Sequence, residues 1–450
     1  MQSVLFLAFA LGVMLSPDSL ILLGNMLGSE GVAVITGLLI AAGLHTLTAL
    51  TYGKVGFCPS ASDGEICVLR AALGPLPATV LPLCARVLYT VCAATGILAI
   101  AGYVFNEVFV YWFPNLGFSF CLLGVLVGLN LAGPRVATLG QLSFVALALG
   151  GLLCLSAIAL LGLGQTLPVP GATVPASPVT VRSLLAALLL FMGFELALFT
   201  TPPAAMALAG RLMTLGMVLA VLVWCVWGLV SVRFVPPARL ADSTVPHMLA
   251  ARAISGHSGR VIMGLVVLGG TCATVNALLS AGSRILAGMA THGLLPAWLG
   301  LCQARPALLL LALGPAAMMA MGMAGEPETE VYARAGVLFW LLHYAAIHLA
   351  VLVGPRRQSR QVSWTWGSPP VVMPLLSLAA LGLAVLGLVW SDREATRLVQ
   401  FMGMVLAGAG CLSLAWLGWQ RWRLSWRASA SAPVVPLSPG KLPSCKGDAL

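Results

Sequence analysis

Apolar residues run for about twenty positions at a time, and the charged residues are pushed into the gaps between the runs. A helix needs roughly 20 residues to cross the hydrocarbon of a bilayer, so each run reads as a membrane span. Twelve follow in order, at residues 3–26, 32–55, 78–105, 118–131, 138–163, 183–200, 212–232, 260–289, 306–323, 331–353, 371–390 and 398–419. Two of them carry breaks. Ser16-Pro17-Asp18-Ser19 interrupts the first, where Pro17 removes a backbone donor and the flanking polar side chains can satisfy freed groups. Gly193 is the permissive residue of the sixth, which Pro202-Pro203 ends. Met1–Met14 imitates the apolar part of a signal peptide, but no basic segment precedes it and more apolar sequence follows. A broken first membrane helix fits better.

Composition agrees. The chain is 60% apolar and 8% charged, against about a quarter charged in soluble domains, which excludes an ordinary water-soluble protein. The net charge of +10 does not imply nucleic acid, because the basic residues lie between spans and at the C-terminal end without forming a continuous face. They set orientation instead. With the N-terminus inside, the cytoplasmic connections hold Lys54, Arg70, Arg135, Arg211, Arg305, Arg356, Arg357 and Arg360, and the tail adds Arg421, Arg423, Arg427, Lys441 and Lys446. The opposite side collects Glu30, Glu107, Glu326, Glu328, Glu330, Asp392 and Glu394, with Arg233, Arg239 and Arg252 as the dissenting cations. Both termini are therefore expected in the cytoplasm, with residues 427–450 a disordered tail. The 11 cysteines show no CxxC pair and read as small apolar packers. No nucleotide-binding loop, nucleophile elbow or zinc motif is found, so neither an enzyme nor a cofactor is expected.

Four segments carry a resemblance. Ala49–Gly56 is similar to the end of the second helix of the amino acid, polyamine and organocation (APC) permeases. Asn276–Arg284, running on to Met289–Pro296, resembles their eighth-helix signature, and Phe191-Met192-Gly193-Phe194-Glu195 their sixth-helix run. Gly133-Pro134-Arg135 with Thr138 opens the fifth span much as in the arginine/agmatine type of antiporter. The resemblance implies an all-α polytopic fold of about 12 transmembrane helices, with a 5+5 inverted-repeat (LeuT-like) core at about 3–163 and 183–353 and two extra helices at about 371–422, together a transporter domain over residues 1–426. It also implies a secondary transporter that moves amino acids or related amines across the inner membrane by alternating access, as proton-coupled symport or exchange. A sodium-coupled symporter of the related fold, and a membrane sensor or subunit that keeps the fold without transporting, stay open. The partners implied are a small-molecule substrate, the lipid bilayer and protons, with oligomeric state left open.

In such a fold the interrupted first helix of each repeat binds the substrate. The matching residues are Ser16, Pro17, Asp18, Ser19, Met192 and Gly193, joined by Tyr89 in the third span and Asn276 in the eighth. Asp18 and Glu195 are the carboxylates well inside predicted spans, and they are the candidates for coupling or gating. The family's glycine-rich segment in helix one, whose amides hold a substrate carboxylate, is replaced here by Ser16-Pro17-Asp18. That favours an amine, or an amino acid bound in another pose. Structural alternatives stand beside each reading: a helix cap for Asp18, a buried hydrogen-bonding group for Glu195, core packing for Tyr89 and an interhelical tie for Asn276. Arg86 either snorkels outward or pairs with an acid. His45, His343 and His348 read as packed or interfacial rather than metal ligands. The fifth span lacks the lysine that some relatives use for coupling, so proton coupling would need Asp18, Glu195 or a histidine.

Overall fold

The computed structural model describes residues 2–55, 64–164, 181–200, 208–353, 372–391 and 394–430, and among these every regular element is a helix. In chain order they are α1 (Gln2–Met14), α2 (Pro17–Glu30), α3 (Ala33–Val55), α4 (Gly64–Leu73), α5 (Pro75–Pro82), α6 (Tyr89–Val108), α7 (Asn115–Leu131), α8 (Pro134–Leu160) and α9 (Val181–Leu189). They continue with α10 (Ala197–Thr200), α11 (Ala209–Phe234), α12 (Pro237–Ala241), α13 (Pro246–Thr291), α14 (Arg305–Ala320), α15 (Pro327–Val353), α16 (Val372–Ser391) and α17 (Ala395–Ala430).

Among the described residues eight helices are long and apolar enough to cross a membrane, and α1 with α2, bent by 56°, makes a ninth as one broken span. Shorter apolar helices at Asn115–Leu131, Ala186–Thr200 and Pro374–Gly387 lie where the fourth, sixth and eleventh spans are expected. Leu383, Leu386, Leu412 and Leu139 are exposed, as suits side chains turned to lipid rather than water.

Three features depart from the pattern in the sequence. The apolar helix α4 lies in what reads as a connection, and its residues Glu65, Ile66 and Leu69 are buried. The eighth span begins earlier than expected, at Pro246, and Ser255 and Gly256 leave helical geometry and kink it. α17 continues to Ala430, so residues 427–430 are helical rather than part of a disordered tail. Gly56, Pro202, Pro203, Arg356, Arg357, Arg360, Asp392 and residues 431–450, with the expectations attached to them, lie outside the described residues.

Small residues let the broken first span sit deep in the bundle. A Cβ at Gly12 would meet the Gln141 amide at 2.1 Å, and one at Gly270 would meet the Leu15 carbonyl at 2.3 Å. Such backbone approach is how helices associate where no hydrophobic drive separates them from lipid. The carbonyls of α1 find partners across these contacts: Gln141 donates to Ala8 O at 3.1 Å, and Thr274 donates to Gly12 O at 2.9 Å.

Candidate functional site

The first break falls at Leu15-Ser16. Ser16 caps α2, its hydroxyl accepting from Ser19 N at 3.2 Å and lying 3.0 Å from the Ser19 hydroxyl. Pro17 stands at the first helical position, where its missing N–H costs nothing. Ser16, Pro17 and Ser19 are buried, whereas Asp18 between them is exposed. Its carboxylate lies within electrostatic reach of Tyr89, which is half-buried, and of Glu330 at the start of α15.

The second break is at Gly193, with φ 90°. Its N–H donates to the Tyr344 hydroxyl at 3.4 Å, and a Cβ there would come within 2.8 Å of Val13 Cβ, so the two breaks lie against each other. Met192 beside it is buried. Gly193→Ala is expected to cost about 1–3 kcal/mol, from a left-handed backbone forced on an L residue and a side chain that has no room. Thermal unfolding of the purified protein checks this; an unchanged midpoint would show that the break tolerates a side chain.

On the other side of Tyr89 the chain builds a buried charged cluster. Pro82 lies in helical geometry, and the turn after it widens to a π-helix over Leu83–Leu88, which carries Arg86. Arg86 is 1% exposed and does not snorkel. It donates to Glu195 through Nη1 and to Glu65 Oε2 at 3.1 Å through Nη2, with its guanidinium 4.2 Å above the Trp340 ring. Glu195 also accepts from Trp340 Nε1 at 2.9 Å and from the Tyr344 hydroxyl at 2.5 Å. Glu65 Oε2 accepts from the Tyr52 hydroxyl at 3.3 Å and lies 3.1 Å from His343 Nε2. Trp340 packs edge-on against Tyr89 with ring centroids 4.9 Å apart, which joins this cluster to the breaks. Asp18 is thus exposed at the first break, while Trp340, Tyr344, Glu195, Arg86 and Glu65 form a buried layer that Trp340 links to Tyr89.

Asn276 is buried. Its amide donates to Gln141 Oε1 at 2.8 Å and Ala137 O at 3.2 Å, and its carbonyl accepts from Asn130 at 2.8 Å, which ties α7, α8 and α13 together. His45 lies 2.9 Å from Leu188 O and His348 lies 3.2 Å from the Thr48 hydroxyl, both as packed groups, whereas His343 faces an acid. Glu65 has no counterpart among the residues singled out in the sequence. The available signal was Arg86 itself, because a cation in an apolar run demands acids.

Interrupted helices that meet inside an apolar bundle are the architecture of a membrane transporter. Solved structures agree: a manganese transporter of Eremococcus coleocola, in complex with an aromatic bis-isothiourea compound, superposes with a TM-score of 0.56 at 14% identity over 93% of each chain. A histidine-to-alanine mutant of that transporter gives 0.55 at 16% identity, again over 93% of each chain. At such identity the likeness is one of fold. No curated protein sequence matches the chain significantly. The amino acid permease family matches over residues 2–397, so the chain belongs to that family.

Proposed function

We propose that the protein carries amino acids or related amines across the cytoplasmic membrane by alternating access, with twelve spans and both termini in the cytoplasm. The substrate sits where the two breaks meet, between Asp18, Ser16, Ser19, Tyr89, Met192 and Gly193. The observation that carries this reading is a carboxylate residue, Asp18, exposed at a break whose other members are buried. Pro17 supplies no amide for a substrate carboxylate, and Asp18 would repel one, so an ammonium group is the natural occupant. Glu195 acts in the gate, where its hydrogen bonds to Arg86, Trp340 and Tyr344 fasten the second break to α15 and to the turn before α6.

Counterflow in proteoliposomes tests it, with a panel of amino acids, polyamines and other amines. Preloading with the right substrate is expected to accelerate uptake of its labelled form at least tenfold over empty vesicles, with or without sodium. A sodium requirement would replace this reading with a sodium symporter. Ligand-induced thermal stabilisation without flux would replace it with a sensor.

A further inference from the structure

One arginine in the buried cluster faces two carboxylates. Arginine stays charged in proteins. The bonds of Glu195 to Arg86, Trp340 and Tyr344 engage both its oxygens and suit an ionised carboxylate. Glu65 then carries the surplus negative charge. Its Oε2 accepts from Arg86 and Tyr52 and lies 3.1 Å from His343 Nε2, but Oε1 is buried without a donor among the described residues, and both ring nitrogens of His343 are buried there without hydrogen-bond geometry to any partner. An unbalanced buried charge costs several kcal/mol, and a proton is the smallest ligand that removes it. Among the described residues the titratable groups facing the pair are Tyr52 from α3, Arg86 from the π-turn, Glu195 from the second break and Tyr344 from α15, and none of these supplies a second cation.

We propose that the closed gate binds one exchangeable proton, held between Glu65 and His343, and that its loss accompanies the opening of this side. Glu65 and His343 lie on different elements: α4, which ends at Gly74 with φ 96° and open space around it, and α15. When α4 swings away, Glu65 leaves Arg86 and His343 for water and the proton departs, while Glu195 keeps its arginine. The closed state therefore holds one proton more than the open state, so acid favours closure, by about tenfold per pH unit between the two titration limits. Proton movement is thereby tied to one half of the transport cycle, and this rests on the transport reading above.

The test has two arms. Infrared difference spectra of the purified, substrate-free protein across the neutral pH range read carboxyl and imidazole protonation directly. A titrating signal is expected that Asp18→Asn leaves in place and Glu65→Gln removes. His343→Gln exchanges one neutral side chain for another, so it serves where Glu65→Gln does not fold; it should leave a protonated carboxyl that no longer titrates. In proteoliposomes, the parent's flux should change about tenfold per pH unit over part of the range, and that of Glu65→Gln less than twofold. Parent-like spectra in both variants, or a parent-like pH profile in Glu65→Gln, would overturn the proposal. The spectroscopic arm needs no transport: the titrating signal without flux sinks the transport reading alone, and flux without the signal sinks the proton.

Discussion

Arg86→Gln is expected to destabilise the folded protein by about 3–5 kcal/mol, the penalty for leaving a buried carboxylate without its cation. The effect should exceed that of any single substitution in α6, because Arg86 is the arginine that pairs with both Glu65 and Glu195. The desolvation argument also fixes what should rescue it. Removing the acids along with the arginine, in Arg86→Gln combined with Glu65→Gln and Glu195→Gln, leaves polar groups of similar shape and no net charge to bury. Most of the lost stability should return, and the shortfall from additivity should exceed about 1 kcal/mol. Unfolding curves of the purified variants in one detergent measure both quantities. A single variant that loses no more than about 0.5 kcal/mol, the size of an ordinary surface change, would mean that the cluster is hydrated rather than sealed from water.

That cluster marks where reading the sequence stops. The apolar runs are long, and a bilayer imposes one strong rule on them, so most spans stand out directly. The breaks are legible for a similar reason. Pro17 and Gly193 are the residues that backbone sterics require where a helix must be interrupted, and they fall at the first and sixth spans. Partnerships between side chains on distant elements obey no such local rule. Glu65 sits on a ten-residue helix in a stretch that reads as a loop, and nothing near it in sequence says that it faces Arg86. The widened turn after Pro82 re-aims Arg86 into the bundle, a rotation that helical periodicity alone does not contain. Asn276 is the converse case: its place in a recognisable segment suggests the substrate, yet each of its hydrogen bonds goes to a neighbouring helix.

Asp18→Asn should have the largest effect on recognition. In the ligand-free protein Asp18 is the exposed residue of a break whose other members are buried. Alternating access requires that this side close over the substrate, which strips water from the carboxylate and strengthens its attraction for a cation. An ammonium group facing Asp18 is then a desolvated ion pair, and Tyr89, within the field of the same carboxylate, is placed to wall it. Truncating one partner of such a pair costs about 2–5 kcal/mol, or roughly thirtyfold to a few thousandfold in Kd. The asparagine keeps the size of the side chain and Ser16 still caps α2, so the folded protein should keep its stability to within about 0.5 kcal/mol. Recognition and folding are thereby separated: calorimetry with the substrate found by counterflow reads the first, and thermal unfolding the second. Loss of binding with an unchanged midpoint is the expected pair of results. Parent-like binding would reduce Asp18 to a residue of the helix break and remove the charge argument for an amine.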